Sequence, residues 1–218
     1  MTDPIQIIDT FKISSSGIHL KKYHIQRTLE GFSELGIAVN EFSVRAMYQQ
    51  IEEKNLNLKK EMKAKITFDH QDLRNSICDI SDIENLPNPI TLELPTSGLF
   101  QLSGCGLQNF KISKRDYWNQ ALKNAHCFDT IGVNQDGNVT ETSRFNLFLF
   151  KDNLLFTPEL NSGCINGAYR RFLLAHGSYD LAGQKIQIIE KNILALDIKK
   201  YEIFVGNSLR GMHKAVLI

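Results

Sequence analysis

The chain has 218 residues, with 25 basic and 24 acidic side chains and a formal net charge of +1. That balance offers no broadly basic surface to a polyanion, so nucleic acid is not an expected partner. No stretch approaches the roughly 18 apolar residues of a membrane span, and Met1-Thr2-Asp3-Pro4 lacks the basic and apolar regions of a signal peptide. The expected location is therefore the cytoplasm.

Ile5 to Ile13 reads as a strand rich in β-branched residues, and Ser14-Ser15-Ser16-Gly17 as a turn. Lys21 to Leu35 predicts a helix, because Ile25, Leu29, Phe32 and Leu35 recur at three- and four-residue steps, with Gly36 just past its end. A second helix is expected over Val44 to Glu53, then strands over Lys63 to Asp69 and Ile90 to Leu94. Between Leu94 and Phe110 the chain is rich in Pro, Gly and Ser. This predicts a small N-terminal α/β domain over 1–95, a connection over 96–110 and a second domain over 111–218.

In the second domain Lys114 to His126 reads as a helix with Tyr117, Trp118, Ala121, Leu122 and Ala125 on one face. Phe128 to Val133 is an expected strand, and Gln135-Asp136-Gly137-Asn138 carries the Asp-Gly hairpin signal. Leu147 to Phe150 and Leu154 to Phe156 should pair around Lys151-Asp152-Asn153. A helix over Ala168 to Ala175 precedes strands over Lys185 to Glu190, Glu202 to Val205 and Lys214 to Leu217. Strands with interspersed helices argue a mixed α/β (α+β) fold with a larger C-terminal mixed sheet, not a regular doubly wound one.

The four cysteines, Cys78, Cys105, Cys127 and Cys164, form no C-x-x-C pair, so neither a metal nor a disulfide framework is expected. They read as reduced thiols, mostly buried as small apolar residues.

Four stretches carry the chemistry. They are Asn109-Phe110-Lys111-Ile112, then Val139-Thr140-Glu141 with Asn146-Leu147-Phe148, then Thr157-Pro158, then Gly163 to Arg170. A lysine that must lose its proton to react with a carbonyl is helped by desolvation, and Lys111 opens a half-buried segment. Lys114 lies only three residues away. A carboxylate such as Glu141, placed before the apolar run Phe145 to Phe150, can be buried. Asn166-Gly167 runs directly into a helical pattern, so the amides of Ala168 and Tyr169 can point at an anion.

In this order the stretches resemble the class IV aminotransferases, fold type IV enzymes that use pyridoxal 5'-phosphate. The family includes branched-chain aminotransferases, D-amino acid aminotransferases and aminodeoxychorismate lyases. The resemblance extends to Asp9-Thr10 and to His24-Ile25-Gln26-Arg27, similar to the family's His-x-x-Arg helix. It implies that Lys111, not Lys114, carries the cofactor, and that Thr10 assists near the substrate. Glu141 would face the ring nitrogen, with Asn146 beside the cofactor. Gly167, Ala168, Tyr169, Arg27 and Ser208 would meet the phosphate, three parts of the chain converging on one dianion. Arg210, in Gly206-Asn207-Ser208-Leu209-Arg210-Gly211, is a candidate for a substrate carboxylate.

That last segment and Asn166-Gly167 look more like the lyases than the branched-chain enzymes. The expected reaction is release of pyruvate from 4-amino-4-deoxychorismate to leave 4-aminobenzoate. An aminotransferase on branched-chain or D-amino acids is the alternative, and a non-catalytic cofactor-binding protein a third. The chain begins late compared with typical members, which removes part of the usual substrate wall. Lys114 stands where the family usually has Asn, and no residue clearly matches the aromatic that follows the lysine of the branched-chain enzymes. A homodimer with sites near the subunit boundary is expected, both from the resemblance and because a small first domain buries a limited core.

Overall fold

The computed structural model of the protein describes residues 5–95 and 110–218. Of the expected connection over 96–110, residues 96–109, with Cys105, lie outside the described residues. The chain forms two compact units: Met1–Asn85 with Phe110–Lys114 and Ser208–Arg210, and Leu86–Asn109 with Arg115–Asn207 and Gly211–Ile218.

The first unit is an antiparallel sheet covered by two helices. Strand β1 (Ile8–Ser14) turns through Ser15 and Ser16 into β2 (Gly17–Ile18). Along β1, Asp9, Phe11 and Ile13 are buried while Thr10, Lys12 and Ser14 are not, the two-residue alternation of a half-buried strand. Helix α1 (Lys21–Glu34) buries Ile25, Thr28 and Phe32 on one stripe. Its end is set by Gly36, at φ +67. Helix α2 (Glu41–Lys54) begins three residues before the expected Val44, because the Asn40 side chain accepts hydrogen bonds from the amides of Phe42 and Ser43. Strand β3 (Met62–Thr67) pairs with β1, and β4 (Ile77–Ser81), which the sequence reading passed over, pairs with β3. The segment Phe110–Lys114 runs beside β1: the Ile8 amide donates to the Lys111 carbonyl at 2.9 Å, and Ile7 bridges Ile112.

The second unit contains β5 (Ile90–Glu93), α3 (Asp116–Asn124), β6 (Asp129–Val133), β7 (Val139–Thr142) and β8 (Asn146–Lys151). It continues with β9 (Leu154–Thr157), α4 (Ala168–His176), β10 (Ser178–Leu181), β11 (Gln184–Glu190), β12 (Glu202–Asn207) and β13 (Gly211–Leu217). Its strands form one sheet in the order β10-β11-β9-β8-β12-β13-β5-β6-β7. A further pairing of β7 with β8 closes a ring through β8, β12, β13, β5, β6 and β7, leaving β9, β11 and β10 as a wing. Ile90, Leu92, Ile131, Leu147, Leu149 and Val205 belong to the core of this unit. Strand β5 was expected in the N-terminal domain. Its parallel partners β13 and β6 place it in the second unit's sheet.

Two tight connections follow the expected chemistry. Asp152 and Asn153, both at positive φ, make the two-residue link between β8 and β9. Gly137, at φ +79, turns β6 into β7. Helix α3 is shorter than the expected Lys114 to His126, and its Trp118 packs so close to β6 that an added Cβ at Gly132 would lie 3.1 Å from the indole.

Candidate active site

In the second unit, Glu141 and Asn146 face each other across β7 and β8. Both are buried. The Glu141 carboxylate accepts the amide of Ile165 at 3.1 Å, and the Asn146 amide group donates to the Ile165 carbonyl at 2.7 Å. The turn before α4 is thus pinned to the seam of the ring. Gly167 sits against the same asparagine: a Cβ added there would fall 2.2 Å from Asn146 Oδ1. Gly167 is the N-cap of α4 and no side chain caps the helix, so the first amides, of Ala168 and Tyr169, are left for another acceptor. The Tyr169 ring packs edge-on against Phe148 and would meet a Cβ at Gly206 at 3.0 Å. Burial pushes its hydroxyl up to about 12. Arg170 is turned away, onto Pro158 O at 2.7 Å and Glu190.

The first unit holds Thr10, Arg27, Lys111, Ser208 and Arg210. Lys111 is half-buried, as expected, and Lys114 is exposed. Ser208 is buried in the turn that joins β12 to β13, and Arg210 donates to the carbonyl of Glu84 at 3.2 Å. Arg27 is not on a solvated helix face. It is buried, and its Nη2 pairs with Asp9. Asp9 also accepts from His24 Nδ1 at 3.0 Å, from the Tyr48 hydroxyl at 2.5 Å and from the Thr10 amide at 2.9 Å. Asp9 and His24 belong to the motif stretches quoted above, and the motif alone does not indicate this network. The available signal was an aspartate at an inward position of β1, level with Phe11 and Ile13.

Burial raises the Asp9 pKa, but the charges and hydrogen bonds around it outweigh that and hold the carboxyl far below its ordinary value. Burial lowers the pKa of His24 against the opposing pull of Asp9. Among the described residues, no group of three or more His, Cys, Asp or Glu side chains could hold a metal ion. None of the described helices is long and apolar enough to cross a membrane.

The family model for amino-transferase class IV matches residues 6–218, nearly the whole chain. The chain belongs to the class IV amino-transferases. A curated relative from Schizosaccharomyces pombe, named "Putative aminodeoxychorismate lyase", is 27% identical over 154 residues. That match covers 67% of this chain and 62% of the relative, so the chain spans less than two thirds of the relative's length. Among solved structures, a protein from Mesorhizobium loti described as a "Putative amino-acid aminotransferase" superposes with a TM-score of 0.81 at 22% identity. It covers 99% of this chain and 100% of its own. The 4-amino-4-deoxychorismate lyase from Pseudomonas aeruginosa gives 0.74 at 19% identity, over 97% of this chain and 82% of its own. These structures share the mixed α/β fold.

Class IV amino-transferases normally use pyridoxal phosphate. The donor set of the second unit fits that group, with a buried carboxylate for a protonated ring nitrogen and uncapped helix amides for an anion. In the first unit, Arg27 has a buried Nε–H without a hydrogen-bond partner. That donor also suits an anionic oxygen.

Proposed function

We propose that this class IV amino-transferase homologue is a pyridoxal-phosphate lyase that converts 4-amino-4-deoxychorismate to 4-aminobenzoate and pyruvate. The observation that carries the cofactor reading is the buried Glu141 carboxylate, joined through Ile165 and Asn146 to the bare N-terminus of α4. The relative from Schizosaccharomyces pombe supports the choice of substrate.

Under this reading Lys111 attaches the cofactor, Glu141 meets its ring nitrogen, and the amides of Ala168 and Tyr169 meet its phosphate. Bound pyridoxal phosphate supplies an electron sink for the pair released at the amine-bearing carbon of the substrate. Lys111 Nζ would be the base that takes the proton from that carbon. Breaking the bond between the neighbouring carbon and the enolpyruvyl oxygen would release enolpyruvate, which takes a proton on carbon to become pyruvate, and would leave the substrate ring aromatic. Thr10 assists at the substrate, and Arg210 binds one of its carboxylates.

The decisive assay incubates the full chain and cofactor with 4-amino-4-deoxychorismate. Pyruvate and 4-aminobenzoate should appear in equal amounts, and the absence of both overturns the lyase reading. The likeness to the Mesorhizobium loti protein keeps an aminotransferase as a second reading. It predicts that an amino acid alone, without a keto acid, changes the absorbance of the bound cofactor.

A further inference from the structure

Asp9 is fully buried and connects side chains from β1, α1 and α2. Its Oδ1 meets Arg27 Nη2 and the Thr10 amide, and its Oδ2 meets the Tyr48 hydroxyl. His24 Nδ1 lies 3.0 Å from both oxygens. The Tyr48 hydroxyl is fixed in turn by Thr28 at 2.8 Å. Phe11 packs against both His24 and Tyr48, closing the network from above. A carboxylate with this many donors has one orientation, and a guanidinium held by it through Nη2 has little freedom to rotate.

The arrangement leaves something over. Arg27 is only 8% exposed, yet its Nε–H has no hydrogen-bond partner. An unmet buried donor is costly, and more so on a charged group. Asp9 already has its donors, and no acceptor among the described residues meets this N–H. An oxyanion matches a guanidinium edge best. Asp9 cannot favour a second anion by charge, because a carboxylate beside the guanidinium offsets its attraction. Its contribution has to be geometric.

We propose that Asp9 is a positioning residue, whose buried carboxylate orients Arg27 to receive the phosphate of pyridoxal phosphate and ties Thr10 to the same anchor. This rests on the cofactor reading above. It assigns to Asp9 a task that the ring-nitrogen and lysine residues do not share.

The test compares the affinity of the full chain for pyridoxal phosphate with that for pyridoxal, which lacks the phosphate. The ratio isolates recognition of the phosphate from attachment at Lys111. In the Arg27→Ala variant the ratio should fall at least tenfold. Asp9→Ala should produce a similar fall, and the double variant should add little to either, the mark of two residues acting as one unit. Asp9→Asn keeps an acceptor for Nη2 but puts an amide donor toward Tyr48 or His24, so a smaller fall of about threefold is expected.

Removing one partner of a buried ion pair is strongly destabilising. If Asp9→Ala does not fold, Asp9→Asn alone decides the matter. An unchanged or increased ratio in either folded Asp9 variant overturns the proposal, whatever the variant does to thermal stability. An unchanged ratio in Arg27→Ala also overturns it while leaving the cofactor reading standing. Failure of the unaltered chain to bind pyridoxal phosphate sinks both.

Discussion

Glu141 and Asn146 are partners across β7 and β8, and this one pair closes the ring of the second unit. The carboxylate proposed to face the cofactor ring is thus also part of the barrel seam. Its backbone is fixed by strand pairing and its side chain by the Ile165 amide. A residue held twice in this way can present a charge with little reorganisation.

Replacing Lys111 with Ala should abolish covalent attachment of the cofactor and leave the fold intact, since Lys111 bonds β1 through its backbone carbonyl. Borohydride reduction followed by peptide mass analysis reads this directly. A label that persists and moves to Lys114 would show that the neighbouring lysine carries the cofactor.

Glu141→Gln should still bind cofactor and fold, because an amide oxygen can accept the Ile165 hydrogen bond. Turnover should drop on the order of 10²-fold, since a neutral amide cannot hold a proton on the ring nitrogen. Near-normal kcat in this variant would remove Glu141 from the ring.

Gly167→Ala forces a methyl to within 2.2 Å of Asn146 Oδ1. Either the asparagine gives up its bond to Ile165 or the start of α4 shifts. Overpacking of this kind costs about 1–3 kcal/mol. Urea denaturation should show the loss, with cofactor affinity falling alongside it. A variant as stable as the parent would show that the turn is looser than the geometry implies.

Tyr48→Phe removes the hydroxyl that donates to Asp9 at 2.5 Å. With a charged acceptor left short of one donor, a destabilisation of about 1–3 kcal/mol is expected. Thermal unfolding of the cofactor-free chain measures it without interference from binding.

Acid should weaken the first unit in two stages. The pKa of His24 is lowered on folding from 6.5, so the unfolded chain takes up its proton first. The stability it contributes is complete above about pH 6.5 and is lost as pH falls below that value. The pKa of Asp9 is lowered from 3.8, so its contribution is complete above that and is lost on further acidification. Urea midpoints between pH 7 and 5 should decline in the parent chain and decline less in His24→Gln. Equal slopes would place the acid-sensitive group elsewhere.

Much of the second unit was legible from local chemistry. Asp-Gly at Asp136 and Gly137, the Asp152-Asn153 link and the helix after Gly167 each depend on a few adjacent residues, and each formed as expected. The placement of β5 was not legible, because Ile90–Glu93 is short and its partners Ala215 and Asp129 lie far along the chain. Closure of the ring through Glu141 and Asn146 was missed for the same reason: a residue pair across a turn looks like a hairpin until the far strands are known. The Asp9 network stayed hidden because an aspartate on a strand is ordinarily solvated. Only the packing of α1 and α2 over β1 shows that it is not.

The parallel pairing of β5 with β13 has a kinetic side. During synthesis β5 emerges early and β13 only after all the intervening strands. Until then one edge of β5 exposes open backbone donors and acceptors, an invitation to misassembly with another nascent chain. Such long-range pairing also pays its loop-closure entropy before any contact repays it, which slows folding. The ring should therefore be the last part of the molecule to mature, with the first unit's local antiparallel sheet already in place.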